Sequence, residues 1–195
     1  MRIIGLTGGI GMGKSTVAGM FARHGIPTFN ADDAVHALQA PNGRAIPMIA
    51  EAFPGTVTAG VLNRAALRDI VLADAAALRR LEGIMHPLVR GMEKRFLACA
   101  TRRRRRAVLF DIPLLFETHG ERRVDITLTV SCPRAVQIAR VRRRGTLSPR
   151  QIAVIIAKQM PDAQKRARAD YVVPTGLSLF HTRQTVERLL PVLLP

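Results

Sequence analysis

The amino-acid sequence predicts an α/β fold built on a five-stranded, parallel, doubly wound sheet. Three observations lead there. Short β-branched apolar runs bounded by turn residues recur five times, helical stretches separate them, and one connection, residues 31 to 106, is too long for a plain crossover. The strands are expected at 2–7 (RIIGLT), 26–30 (IPTFN), 107–111 (AVLFD), 124–130 (VDITLTV) and 170–174 (DYVVP).

Taken in order, the first strand runs into a glycine-rich loop, after which Lys14 to His24 reads as a helix closed by Gly25. Within the long connection, 64–73, 75–82 and 87–98 have helical composition. They are expected to form an insertion over the C-terminal edge of the sheet, where open α/β folds bind ligands. After the fourth strand, Arg134 to Arg144 reads as a helix with proline at its first position and Gly145 as its stop. A second helical excursion should run from Ser148 to about Ala169, with Ser148 as N-cap and Pro149 at the first helical position.

Composition narrows the function classes. The chain of 195 residues is long enough to bury a core without staples, and its two cysteines, Cys99 and Cys132, fit no metal spacing and read as free thiols of a reducing compartment. No signal-peptide pattern opens the sequence and no apolar run approaches the roughly 18 residues of a membrane span. A cytoplasmic protein without membrane partners is expected. The formal charge is +16, and residues 102 to 195 carry 19 of the basic and 7 of the acidic side chains. That balance suits a polyanion or a multiply phosphorylated small molecule. Aromatic residues are 4% of the chain with no Trp, which leaves little for base stacking and argues against nucleic acid. The run Arg102 to Arg106 reads as a solvated loop.

The loop carries the chemistry. Gly8-x-x-x-x-Gly13-Lys14-Ser15, between a strand and an amphipathic helix, matches a phosphate-binding loop whose backbone amides and helix N-terminus wrap nucleotide phosphates. Lys14 would reach the β and γ oxygens, Ser15 would offer its hydroxyl to Mg²⁺, and Thr16 would donate to the α phosphate. No guanine-reading motif and no helicase-like array follows. A small kinase needs an acceptor-activating carboxylate and a basic cover over the transferring group. Asp32, in NADD after the second strand, is either that base or a helix cap, with Asp33 the better candidate for a solvated or capping role. Asp111 either holds Mg²⁺ through water or caps the next turn. Gln137, Arg140 and Arg143 or Arg144 share one helix face, which suits a lid over phosphates or a solvated surface equally well.

The ordered set GLTGGIGMGKSTVA, NADD, LNR (62–64), LxxxxHP (81–87), DIPLLFE (111–117), QxxRxxRR (137–144) and AD (169–170) resembles the dephospho-CoA kinase family over almost the whole chain. The resemblance implies a P-loop kinase core with a helical substrate-binding (CoA) insertion and a helical lid. It implies transfer of the ATP γ-phosphoryl group, with Mg²⁺, to the ribose 3′-hydroxyl of dephospho-CoA, giving CoA and ADP. On this reading the core is about 1–31, 105–137 and 165–195, the insertion 32–104 and the lid 138–164. Catalytic roles fall on Asp32, Lys14 and Arg140. ATP binding falls on Gly8, Gly9, Gly11, Met12, Gly13, Lys14, Ser15, Thr16 and Arg143, with Mg²⁺ on Ser15 and Asp111 a candidate for a further contact through water. The acceptor side takes Thr7, Arg64, His86, Asp111, Leu114 and Leu115, His86 being equally readable as a buried histidine before a proline. Three positions depart from the family pattern: Asn30 stands for Asp, Ile155 for Arg, and Thr175 for Asn. Shikimate or gluconate kinases share the loop and an early aspartate but not DIPLLFE or the long insertion. A nucleic-acid-dependent P-loop ATPase would instead use the basic C-terminal half.

Overall fold

The computed structural model describes residues 1–145 and 148–194. Residues 146 and 147 of the expected lid, and residue 195 of the expected core, lie outside the described residues. The chain divides into two compact units, Met1–Phe29 with Ala100–Pro195, and Asn30–Cys99.

The first unit holds a five-stranded sheet. Its central strand β1 (Arg2–Thr7) is flanked on one side by β5 (Ala107–Asp111) and β2 (Thr28–Asn30), on the other by β6 (Ile126–Ser131) and β7 (Tyr171–Pro174). The β1/β5, β1/β6 and β6/β7 pairs are parallel, with Leu6 opposite both Asp111 and Leu128. Helix α1 (Lys14–Arg23) follows β1, and His24 N–H and Gly25 N–H close it onto Phe21 and Ala22 carbonyls. Strand β6 alternates as a two-faced strand must: Leu128 and Val130 join the core, while Thr127, Thr129 and Ser131 turn to the opposite face. On the core face, Ile4, Leu6, Leu128 and Val130 pack with Val17 and Phe21 of α1 and Val186 and Leu193 of α9 (Leu179–Leu193). Each such fully buried side chain contributes about 1.5–3 kcal/mol. On the other face, Ser131 Oγ donates to Asp162 Oδ2 of α8 (Asp162–Arg168) at 2.7 Å. Asp170, just before β7, accepts from the Thr127 N–H at 2.8 Å and its hydroxyl at 2.7 Å. The AD dipeptide of the sequence therefore pins β7 to β6.

Helix α6 (Arg134–Arg143) starts at Arg134 as expected, with Pro133 just before its first residue rather than in it. Pro133 has ψ 142°, an extended value, and serves as the N-cap, where its missing N–H costs nothing. The excursion after Gly145 is two helices rather than one. Helix α7 (Pro149–Lys158) opens on a capping box between Ser148 and Gln151, and ends before Pro161, which holds Met160 out of helical conformation.

In the second unit, α2 (Ala31–Leu38), α3 (Ile46–Ala52) and a hairpin of β3 (Val57–Thr58) and β4 (Val61–Leu62) precede α4 (Arg64–Ala73) and α5 (Ala75–Arg102), whose last turn runs into the first unit. Leu38, Ile46, Ile49, Leu67 and Met85 form its core. Apolar periodicity did not separate α2 or α3, and it split α5 at Pro87. The helix passes through Pro87; both Pro87 and Gly83, whose carbonyl loses its helical donor, lie on an exposed face.

Helix α2 starts at Asn30, whose Oδ1 accepts from Asp32 N–H at 2.9 Å and Asp33 N–H at 3.2 Å. Asn30 is thus the cap, correcting the assignment of that role to either aspartate. Replacing Asn30 with Ala should lower stability by about 1 kcal/mol, whereas Asn30→Asp should leave it unchanged. Urea unfolding of the two variants checks this, and equal losses would reject the cap.

Candidate active site

The loop from Gly8 to Gly13 is compressed against its neighbours. A Cβ on Gly8 would stand 2.2 Å from Val130 Cγ2 and 3.0 Å from the Val130 carbonyl. Gly11, at φ 75°, would place one 2.9 Å from the Gln137 carbonyl of α6. Only glycine fits either place. Gly13 is the N-cap of α1 and brings no side-chain cap, so the first turn of the helix keeps its amides for another acceptor. The Met12 side chain points into the core, its sulfur accepting the Cys132 N–H at 3.3 Å.

Lys14 forms an ion pair with Asp111, the last residue of β5, and both side chains are largely buried. Parallel pairing of β1 with β5 brings them together, since Asp111 stands opposite Leu6, the last residue but one of β1. Ser15 and Thr16 are exposed at the start of α1. Thr16, Gly11, Gly13, Arg140, Arg143 and Thr175 line part of a cavity of about 350 Å³. Arg140 donates to the Thr175 hydroxyl at 3.2 Å and its carbonyl at 2.6 Å, and that hydroxyl donates to the Met12 carbonyl at 2.6 Å. Arg140 is therefore tied to the loop through one threonine. Arg143 and Arg144 are exposed.

The DIPLLFE segment is anchored from beneath by a residue that the motifs do not announce. Lys165 of α8, 1% exposed, donates to Glu117 at 2.9 Å and to the Pro113 carbonyl at 2.9 Å, with the Thr7 hydroxyl at 3.5 Å. Thr7 is itself fully buried and donates to the Pro113 carbonyl at 2.9 Å. Glu117 also accepts the Met160 N–H at 2.9 Å. Burial pushes the Glu117 carboxyl up, but hydrogen bonds from Lys165 and from Met160 outweigh it and hold the group below the ordinary range. Of the two leucines expected on the acceptor side, Leu114 is exposed. Leu115 is fully buried, against β1 at Gly5. Lys165 is one of four lysines in an arginine-rich chain, the one signal that could have drawn attention to it.

In the second unit, Asp32 and Asp33 are exposed in the first turn of α2. Arg64 lies 2.9 Å from His36 Nδ1. His86 is exposed rather than buried, and with Gly83, Pro87, Arg90, Gly91 and Lys94 it lines a groove of about 460 Å³ along one face of α5.

The Lys165 anchor has an asymmetric consequence. Glu117→Leu strands a buried ammonium and should cost about 3–5 kcal/mol, whereas Lys165→Met leaves a partly exposed carboxylate and should cost less. Because the folded Glu117 pKa is depressed, its stabilisation is fully present above the ordinary value of 4.5 and is lost as pH falls through the folded value. The stability gap between the protein and Glu117→Gln should hold constant at neutral pH and close in acid. Denaturant midpoints from pH 7 to about 3 measure it, and a gap that persists in acid would refute the assignment.

Comparison with known proteins agrees with the geometry. Residues 2–178 match the family model described as Dephospho-CoA kinase. A dephospho-CoA kinase of Paramagnetospirillum magneticum is 54% identical over 166 residues, covering 85% of this chain and 78% of the relative. One of Gluconobacter oxydans is 47% identical over 194 residues, covering 97% and 96%. Among solved structures, TT1252 from Thermus thermophilus superposes with a TM-score of 0.87 at 34% identity, covering 100% of this chain and 98% of that one. The chain belongs to the dephospho-CoA kinase family.

Proposed function

We propose that this chain transfers the γ-phosphoryl group of ATP to the ribose 3′-hydroxyl of dephospho-CoA, giving CoA and ADP, the closing step of coenzyme A synthesis. The observation that carries the reading is the loop itself. Residues 8–13 are held from outside by β6 and α6, and at their end Lys14 rests on a buried carboxylate.

Lys14 is positioned to exchange Asp111 for phosphate oxygens when ATP enters. The exchange replaces one anion by another and so spares the lysine an unpaired state. Arg140 and Arg143 line the adjoining cavity and neutralise charge that spreads over the transferring group. Among the described residues, Ser15 would offer a metal its hydroxyl and Asp111 its carboxylate, a sparse oxygen set that fits Mg²⁺, which keeps waters and phosphate oxygens among its ligands. When bound, the ion would offset charge between the β and γ phosphates.

On the acceptor side, Asp32 is the base that orients or deprotonates the 3′-hydroxyl. Its exposure leaves it accessible to a substrate. The groove on α5 pairs two small residues with His86, Arg90 and Lys94, a surface suited to a phosphorylated acceptor, and Arg64 extends the same chemistry. Two free cysteines support a reducing, cytoplasmic setting, and no described helix is long and apolar enough to cross a membrane.

A coupled assay of ADP release tests the reading: release should require both ATP and dephospho-CoA, and release indifferent to dephospho-CoA would end it. Asp32→Asn should lower kcat by about 10²-fold or more while the affinity for a non-hydrolysable ATP analogue stays within twofold. Unchanged turnover in that variant would reject Asp32 as the base.

A further inference from the structure

A phosphate-binding loop presents some of its peptide groups to the ligand, and those facing the protein still need partners. Ile10, in the middle of the loop, is held at both ends of its own backbone. Its N–H donates to Gln159 Oε1 at 3.0 Å, and its carbonyl accepts from Gln137 Nε2 at 2.9 Å. Both carboxamides cover the loop closely: a Cβ at Gly9 would lie 3.2 Å from the first and 3.3 Å from the second. Gln137 is 4% exposed, so its amide is committed to the loop rather than shared with the arginines further along α6.

The two glutamines are anchored differently. Gln137 projects from the first turn of α6, a rigid mount. Gln159 follows the last residue of α7 in extended backbone, φ −89° and ψ 151°. The next residue, Met160, gives its N–H to Glu117, and Pro161 restricts it further. Lys165 fixes Glu117 in turn. The reach of Gln159 onto the loop therefore depends on how the α7–α8 connection is seated.

We propose that Gln137 and Gln159 are positioning residues that set the orientation of the Ile10 peptide and keep the loop ordered before ATP arrives. Gln159 makes that order conditional on the seating of the α7–α8 connection. The proposal rests on the reading of residues 8–16 as the ATP loop. A loop ordered in advance loses less entropy on binding, so the effect falls on ATP and not on the acceptor. One net hydrogen bond corresponds to about a fivefold change in affinity.

The test uses the full chain. Amide exchange of Ile10, followed by NMR without nucleotide, should be slow in the parent protein, at least several-fold faster in Gln159→Leu, and slow again in Gln159→Glu, which keeps an acceptor oxygen. Gln159→Leu and Gln137→Leu should each raise KM for ATP about fivefold, with kcat and KM for dephospho-CoA within twofold. The double variant should cost less than the product of the two, since both act on one peptide. Exchange at Ile10 that is the same in all three proteins overturns the proposal, as does an equal rise in KM for both substrates. If Gln159→Leu does not fold, Gln159→Glu and Gln137→Leu decide it: fast exchange in the first or an unchanged KM for ATP in the second overturns it. A parent protein whose ADP release ignores dephospho-CoA sinks the kinase reading instead, and Ile10 exchange, which needs no nucleotide, still judges the contact.

Discussion

The structure of the site depends on one steric constraint: the loop between β1 and α1 has no room for a side chain at Gly8 or at Gly11. Val130 of β6 stands behind Gly8, and the backbone of α6 stands behind Gly11. Parallel pairing of β1 with β6 sets the first wall and the mount of α6 at Pro133 sets the second. Loop geometry is therefore a consequence of sheet order, because a strand other than β6 beside β1 would remove both walls.

Two lysines face carboxylates at this edge of the sheet, and their surroundings assign them opposite tasks. Lys165 is almost wholly enclosed and satisfied by Glu117 and the Pro113 carbonyl, so it is a fixture whose removal disturbs three segments at once. Lys14 is 15% exposed and, among the described residues, its ammonium rests on Asp111. Desolvation makes a buried ammonium costly unless its donors are used. A lysine with one anionic partner and an open side can exchange that partner for another anion, whereas one held by three acceptors cannot without a net loss. The difference in satisfied donors, rather than in charge, separates the two lysines.

Much of this was legible in the sequence because it rests on local rules. The five strands, the glycine stop of α1, the cap at Ser148 and the phosphate loop all follow from short patterns that carry their own physics. What was illegible rests on side chains meeting across the fold. Lys165 stands among other cations in the sequence, and only the approach of α8 to the segment after β5 gives it Glu117. Gln137 shared a helix face with arginines, and spacing cannot tell that it turns inward while Arg143 stays exposed. Leu115 sat in a motif with a functional look, yet the pleat of β1 opposite Gly5 buries it. Pro87 shows the limit of punctuation: a proline at an exposed position inside a long helix is carried through it.

The three positions where this chain departs from the family pattern can now be separated by what each must do. Asn30 accepts the two amides that an aspartate would accept, so the cap of α2 survives the change and only a charge is gone. Thr175 keeps a short polar group that donates to the Met12 carbonyl and receives Arg140, which is the part of the position that geometry requires. Ile155 differs in kind, since a half-buried aliphatic residue on α7 supplies no cation at all. The first departure keeps its hydrogen bonds and gives up a carboxylate charge, the second keeps a neutral hydrogen-bonding group, and the third puts an aliphatic side chain in place of a cation. On the proposed reading, cationic stabilisation of the transferring group then falls on Lys14, which follows the loop, and on Arg140 and Arg143 of α6, which line the adjoining cavity.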